Sequence, residues 1–143
     1  MGNLLDQYWF WALLAAVFAA LTAIFAKVGV TELHPDYATF LRTIVVLVVL
    51  GLIVAGTGVW RISGPVPLRS WIFLILSGLG TGASWLAYFR AMKLGDAARV
   101  APLDKLSIVL VAIFGVLFLG EKLSAINWVG VALIAAGALL VAF

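Results

Sequence analysis

Five apolar segments, each long enough to cross a bilayer, take up almost all of the 143 residues of this chain. A helix needs about 20 mostly apolar residues to span the hydrocarbon core. The expected spans run from about Tyr8 to Ala26, Tyr37 to Ala55, Trp71 to Ala91, Val100 to Leu119 and Ile126 to Phe143. An odd number of crossings puts the two termini on opposite sides of the membrane. Five helices are few to enclose a solute path, so the chain is expected to work as half of a larger assembly.

Composition supports a membrane fold. Hydrophobic residues make up 66% of the chain and charged residues 10%, whereas soluble domains carry about half apolar and about a quarter charged residues. A soluble fold of this size would leave much apolar surface against water, so the expected class is an all-α, polytopic helix bundle. There are no cysteines, which excludes disulfides and thiolate metal sites. The net charge is +3, and the nine Lys and Arg are scattered singly, with no basic run to bind nucleic acid. The start, Met1 to Asp6, lacks the positive leader of a secretory signal, and the first apolar stretch is read as retained.

The connectors carry helix breakers. His34-Pro35-Asp36 supplies a proline and a capping carboxylate before the second span, and Ser63-Gly-Pro-Val-Pro67 interrupts the chain before the third. The links Lys93–Arg99 and Gly120–Ser124 are short, so consecutive spans should be antiparallel. With the N-terminal side called A and the other B, five of the six tryptophans fall at the A interface: Trp9, Trp11, Trp60, Trp71 and Trp128. Tryptophan favours the headgroup region, where its apolar ring and its N–H are both accommodated. Trp85 lies deep in the third span and needs a different explanation.

Orientation is balanced. Side B holds Lys27, Arg42, Arg90, Lys93, Arg99 and Lys105, and side A holds Arg61, Arg69 and Lys122. The raw count places side B and the C-terminus in the cytoplasm. Arg42 and Lys105 lie within helices and Arg90 near an end, however, and the positive-inside rule concerns loops. Without those residues the two sides match, so insertion in both orientations is expected.

Candidate functional residues concentrate on the third span. Ser77, Thr81, Ser84 and Tyr88 recur at i, i+4, i+7 and i+11, which aligns four hydroxyls on one helix face. Trp85 borders that stripe, and Gly78, Gly80 and Gly82 lie around it. Helix packing through Gly78 and Gly82, with hydroxyls bonded back to their own helix, is one reading. A solute-facing wall is the other, and Trp85 and Tyr88 favour it because they offer broad surfaces to an organic molecule.

Ionisable residues inside a membrane are costly and are functional candidates. Arg42 in the second span and Asp104 in the fourth enter from side B to similar depth and are expected to be able to pair. Lys105, about 100° around the helix from Asp104, is expected to snorkel to the B interface. Asp104 shares a face with Ser107, and Arg42 shares one with Thr39 and Thr43. A nearby cation favours ionised Asp104, so a structural pair is preferred over proton or substrate coupling. His34, the single histidine, sits in a connector and is not a credible lone metal ligand. Glu121 and Lys122 are read as an exposed interfacial pair, and Gly130 and Gly137 as a face for close packing against another helix. No Ser/His/Asp set, His cluster or phosphate-binding glycine loop is present, so an enzyme is not expected, nor is a cofactor.

Three runs carry a family resemblance: Ala97-Ala-Arg-Val-Ala-Pro-Leu-Asp-Lys-Leu106, Leu117-Phe-Leu-Gly-Glu-Lys-Leu-Ser124, and Trp128-Val-Gly-Val-Ala-Leu-Ile-Ala-Ala-Gly137. They resemble an EamA domain of the drug/metabolite transporter superfamily. Phe40-Leu-Arg42 and Tyr88-Phe-Arg-Ala-Met-Lys-Leu-Gly95 resemble the family's second helix and the end of its third. The likeness covers nearly the whole of residues 1–143, read as a single EamA-like transmembrane domain. Most members carry two five-helix units in inverted tandem and move small organic metabolites. The resemblance therefore implies one half of an inverted-repeat transporter, completed by an antiparallel homodimer of dual topology. The chain is also similar to the small multidrug resistance proteins, but lacks their first-helix carboxylate: Ala19-Ala-Leu-Thr22 has no acid. The family's mid-span proline in the fourth helix is missing too, and Pro102 lies nearer the start of that span.

The resulting expectation is a carrier in a bacterial or archaeal inner membrane, moving a small organic solute by alternating access. Its solute would lie against Ser77, Thr81, Ser84, Trp85 and Tyr88, with Arg42, Asp104, Ser107 and Thr22 lining the same space. A non-transporting structural or accessory membrane subunit is the alternative.

Overall fold

The computed structural model describes residues 6–59 and 64–143. The expectations for Met1–Leu5, Trp60, Arg61 and Ser63 lie outside the described residues. Among the described residues the elements are helical: α1 (Tyr8–Val30), α2 (Pro35–Thr57), α3 (Leu68–Leu94), α4 (Ala97–Asp104), α5 (Ser107–Phe118) and α6 (Ala125–Ala142). Together α4 and α5 form one span, so five helical segments are long and apolar enough to cross a membrane. Large aliphatic and aromatic side chains mostly point outward, and the buried set is dominated by small residues. That pattern suits lipid, which solvates Leu and Val on the outside of a span and leaves close helix approach to small residues.

The helix ends follow local chemistry. Pro35 opens α2, where its missing N–H costs nothing. The cap differs from the expected carboxylate: the Asp36 N–H donates to His34 Nδ1 at 3.3 Å, and Asp36 is left to make another bond. α2 closes on Gly58, whose φ of 69° is the left-handed conformation that glycine adopts without a Cβ penalty. At the start of α6, Ser124 Oγ accepts from the Asn127 N–H.

The fourth span breaks. Lys105 N–H donates to Pro102 O and Leu106 N–H to Leu103 O, and Ile108 and Val109 bond three residues back in the same way, all at 3.0 Å. This is 3₁₀ geometry, tighter than the α-helix on either side. The tightening begins just beyond Pro102, which cannot donate a backbone hydrogen bond. The mid-span proline expected from relatives is therefore not required for an interruption here.

The chain divides into two compact units, Met1–Lys27 with Leu94–Phe143, and Val28–Lys93. In the first, α4 and α5 pack on α6, and Ala138 and Ala142 of α6 are buried with Gly115 of α5. The packed stripe of α6 runs through Val131, Ala135, Ala138 and Ala142. The expected packing face at Gly130 and Gly137 is instead open, with nothing within 4 Å of a Cβ added at either position. In the second unit, Val30, Ala38, Thr39, Phe89 and Met92 are buried, all near the side B ends of their helices.

Candidate functional site

The packed end of the second unit sets the level at which its polar residues meet. α2 leaves side B as α3 arrives there, so the first turns of one lie beside the last turns of the other. Two devices hold that end. Arg90 grips Asp36 with one edge of its guanidinium in two parallel bonds, Nε to Oδ1 at 3.0 Å and Nη2 to Oδ2 at 2.8 Å. Lys93 Nζ donates to the carbonyls of Val30 at 3.0 Å, Leu33 at 3.3 Å and Thr31, covering acceptors that the end of α1 leaves open. In the first unit, Lys27 Nζ donates to Gly95 O at 2.7 Å.

Arg42 lies one turn deeper than Thr39, about 10 Å along the axis from Pro35. Its guanidinium carbon is 4.1 Å from the ring centroid of Trp85 and 5.6 Å from that of Phe89. Trp85 and Phe89 are four residues apart and so share a helix face, which lets one cation touch both. Each such contact contributes about 0.5–2 kcal/mol, more as water is excluded, and Arg42 is half-buried. Tyr88 meets Phe89 edge to face at 6.4 Å. Trp85, deep in its span, is thus the platform for the arginine.

Beside this stack runs the hydroxyl stripe. Ser77, Thr81 and Ser84 face outward, and Trp85 and Tyr88 are half-buried. Thr81 donates its proton to Ser77 O at 2.9 Å, leaving the Thr81 oxygen free to accept. Thr39 and Thr43 bond back to Pro35 O and Thr39 O in the same way. Nothing lies within 4 Å of a Cβ added at Gly78, Gly80 or Gly82, so within this unit these glycines do not serve close packing. An open depression lined by Val28, Gly29, Thr31, Glu32 and Leu33 lies at the side B connector, away from the stripe.

The remaining candidates belong to the first unit. Asp104 ends α4 and Ser107 begins α5; Ser107 faces outward and Thr22 on α1 is half-buried. Lys105 does not reach away from Asp104. Its Nζ pairs with Asp104 Oδ2 at 3.0 Å, because the tightened turn replaces the regular α-helical step between neighbours. Glu121 is not simply the outer partner of Lys122: its carboxylate folds back toward Gly115.

Residue-by-residue reading of the sequence missed Phe89, the Asp36–Arg90 pair and the lysine caps. The four-residue spacing of Trp85 and Phe89 opposite Arg42 was the available signal for the first. For the others, the signal was the concentration of Lys and Arg at the very ends of α1 and α3.

Five long apolar helices, with a cation held on an aromatic platform inside one of the units, define a multi-pass integral membrane protein. Residues 7–143 match the EamA-like transporter family, and the chain belongs to that family. It is 70% identical over 139 residues to a protein of Sinorhizobium sp. described as an uncharacterized transporter in the cobO 3' region, covering 96% of this chain and 99% of that relative. No solved structure matches the chain.

Proposed function

We propose that this membrane transporter is a carrier for a small organic solute in a bacterial or archaeal inner membrane, working by alternating access as an antiparallel, dual-topology homodimer. The observation that carries the reading is the Arg42–Trp85 stack beside an outward-facing hydroxyl stripe. Charge within a span is retained where it does work, and aromatic faces with hydroxyl acceptors suit an organic molecule. In this reading Ser77, Thr81, Ser84, Trp85, Tyr88 and Arg42 contact the solute. Asp104, Ser107 and Thr22 are further polar groups on the transport path, with Asp104 paired to Lys105. The open face at Gly130 and Gly137 is available to a second copy, which would supply the inverted repeat that tandem relatives encode in one chain.

The test is uptake by purified protein in liposomes, screened against organic acids, sugars, nucleosides and organic cations. At least one compound is expected to accumulate, and Trp85→Leu to cut its uptake at least about tenfold while the protein stays folded, consistent with loss of stacking and displaced Arg42. A screen in which no compound crosses overturns the carrier and leaves the structural or accessory subunit. That alternative has one observation in its favour: Thr81 spends its proton on its own helix.

A further inference from the structure

We propose that the face of α2 and α3 around Arg42 binds an organic anion through its carboxylate or phosphate group; this deepens the carrier reading by giving its solute a charge. The argument begins with what Arg42 lacks. The flat face of its guanidinium is covered by Trp85 and flanked by Phe89, and among the described residues of this unit the group that interacts with its charge is the Tyr88 phenol, not a carboxylate. That unit contains two carboxylates, Glu32 and Asp36. Asp36 has committed both oxygens to Arg90, and Glu32 sits in the connector ahead of α2, outside the spans.

A guanidinium carries five N–H donors in a planar fork and stays charged at any pH the protein meets. Stacking on an aromatic ring satisfies its face and does nothing for its edge. An incoming carboxylate or phosphate meets that edge with two parallel charge-assisted hydrogen bonds. The surroundings then describe the rest of the ligand. Trp85 and Tyr88 provide ring surfaces, and the stripe continues one and two turns away with Thr81 and Ser77. The fitting solute is a small organic anion with an apolar or aromatic body and groups that hydroxyls can bond.

Two sources offer that chemistry, a water-soluble metabolite and an anionic lipid headgroup. Arg42 lies about 10 Å along α2 from its start, within a segment long and apolar enough to cross a membrane, which favours the soluble anion. The experiment separates them. Full-length protein in nanodiscs of phosphatidylcholine is titrated with benzoate, pyruvate and phenyl phosphate, and with benzamide and pyruvamide as neutral matches, following thermal stability. A separate arm adds phosphatidylglycerol.

At least one soluble anion is expected to stabilise the protein, its amide is expected not to, and Arg42→Gln is expected to weaken the response at least about tenfold. Arg42→Lys keeps the charge but not the fork, and is expected to fall between the two. Should Arg42→Gln not fold, the acid–amide comparison and Arg42→Lys decide. Equal responses to acid and amide, an undiminished response in Arg42→Gln, no response to any probe, or an Arg42-dependent response to phosphatidylglycerol alone each overturn the proposal. Uptake confined to cations or neutral compounds, unaffected at Arg42, overturns this site and leaves the carrier. Anion binding with no uptake of any compound overturns the carrier and leaves the site.

Discussion

Gly115 and Gly120 flank the same turn, yet replacing them tests different physics. At the end of α5 the Leu119 and Glu121 N–H groups both donate to Gly115 O at 3.1 Å, and Gly120 between them has a φ of 69°. This is a Schellman-type closure, and the left-handed residue within it is the reason a glycine stands there. A Cβ at Gly120 meets nothing within 4 Å, so the cost of Gly120→Ala is conformational, about 1–2 kcal/mol. At Gly115 a Cβ would come within 2.6 Å of Glu121 Oε2. That atom is the tip of a flexible side chain that can swing outward, and exchanging a helical glycine for alanine returns about 1 kcal/mol. Gly120→Ala is therefore expected to lower the melting temperature in detergent clearly more than Gly115→Ala does. Equal losses would mean that the folded-back Glu121 carboxylate is itself needed for stability.

Helix ends rather than helix middles hold the second unit together, and Lys93 shows why. Its ammonium meets the carbonyls of Val30, Thr31 and Leu33, where α1 stops and a helix offers its last carbonyls no intrahelical donor. Lys93→Met keeps the length and apolar character of the side chain while removing every donor. It is expected to destabilise the protein by about 1–2 kcal/mol and to speed hydrogen exchange at the connector around residues 30–34, with the middle of α2 unchanged. Exchange that rises uniformly would show a global rather than a local role. The spans themselves were legible in the sequence because the hydrocarbon core imposes a length and a composition on any helix crossing it. The partnerships were not, because they depend on how each helix is turned about its axis. The hydroxyl stripe of α3 was read from spacing alone. That its neighbouring face, Trp85 and Phe89, would receive Arg42 required knowing which side of α2 meets it. Likewise α6 carries small residues on several faces, and only packing on α4 and α5 selects the face with Ala138 and Ala142 over the one with Gly130 and Gly137.

Five crossings leave the orientation of the whole molecule to its charges, and the structure alters how those charges weigh. Of the side B cations, Lys27 and Lys93 fold onto backbone carbonyls, Arg90 is paired with Asp36, Lys105 is paired with Asp104 and Arg42 lies on Trp85. On side A, Arg69 lies 5.8 Å from the ring centroid of Phe73, and Lys122 is outward-facing. The positive-inside rule counts charges held in short loops and near span ends, and charges drawn into helix ends and pairs give it little to act on. A reporter fused to the C-terminus is accordingly expected on both sides of the membrane in the same cells. Adding two positive charges on side A, Gln7→Arg with Asn127→Lys, is expected to hold side A in the cytoplasm. Adding two on side B, Thr31→Lys with Ala98→Lys, is expected to do the reverse. If two oppositely oriented copies form the working transporter, each fixed form is inactive alone and uptake returns when both are made together. A reporter confined to one side in the natural sequence, or full uptake from a single fixed form, would exclude the antiparallel dimer and require the solute path to be completed in another way.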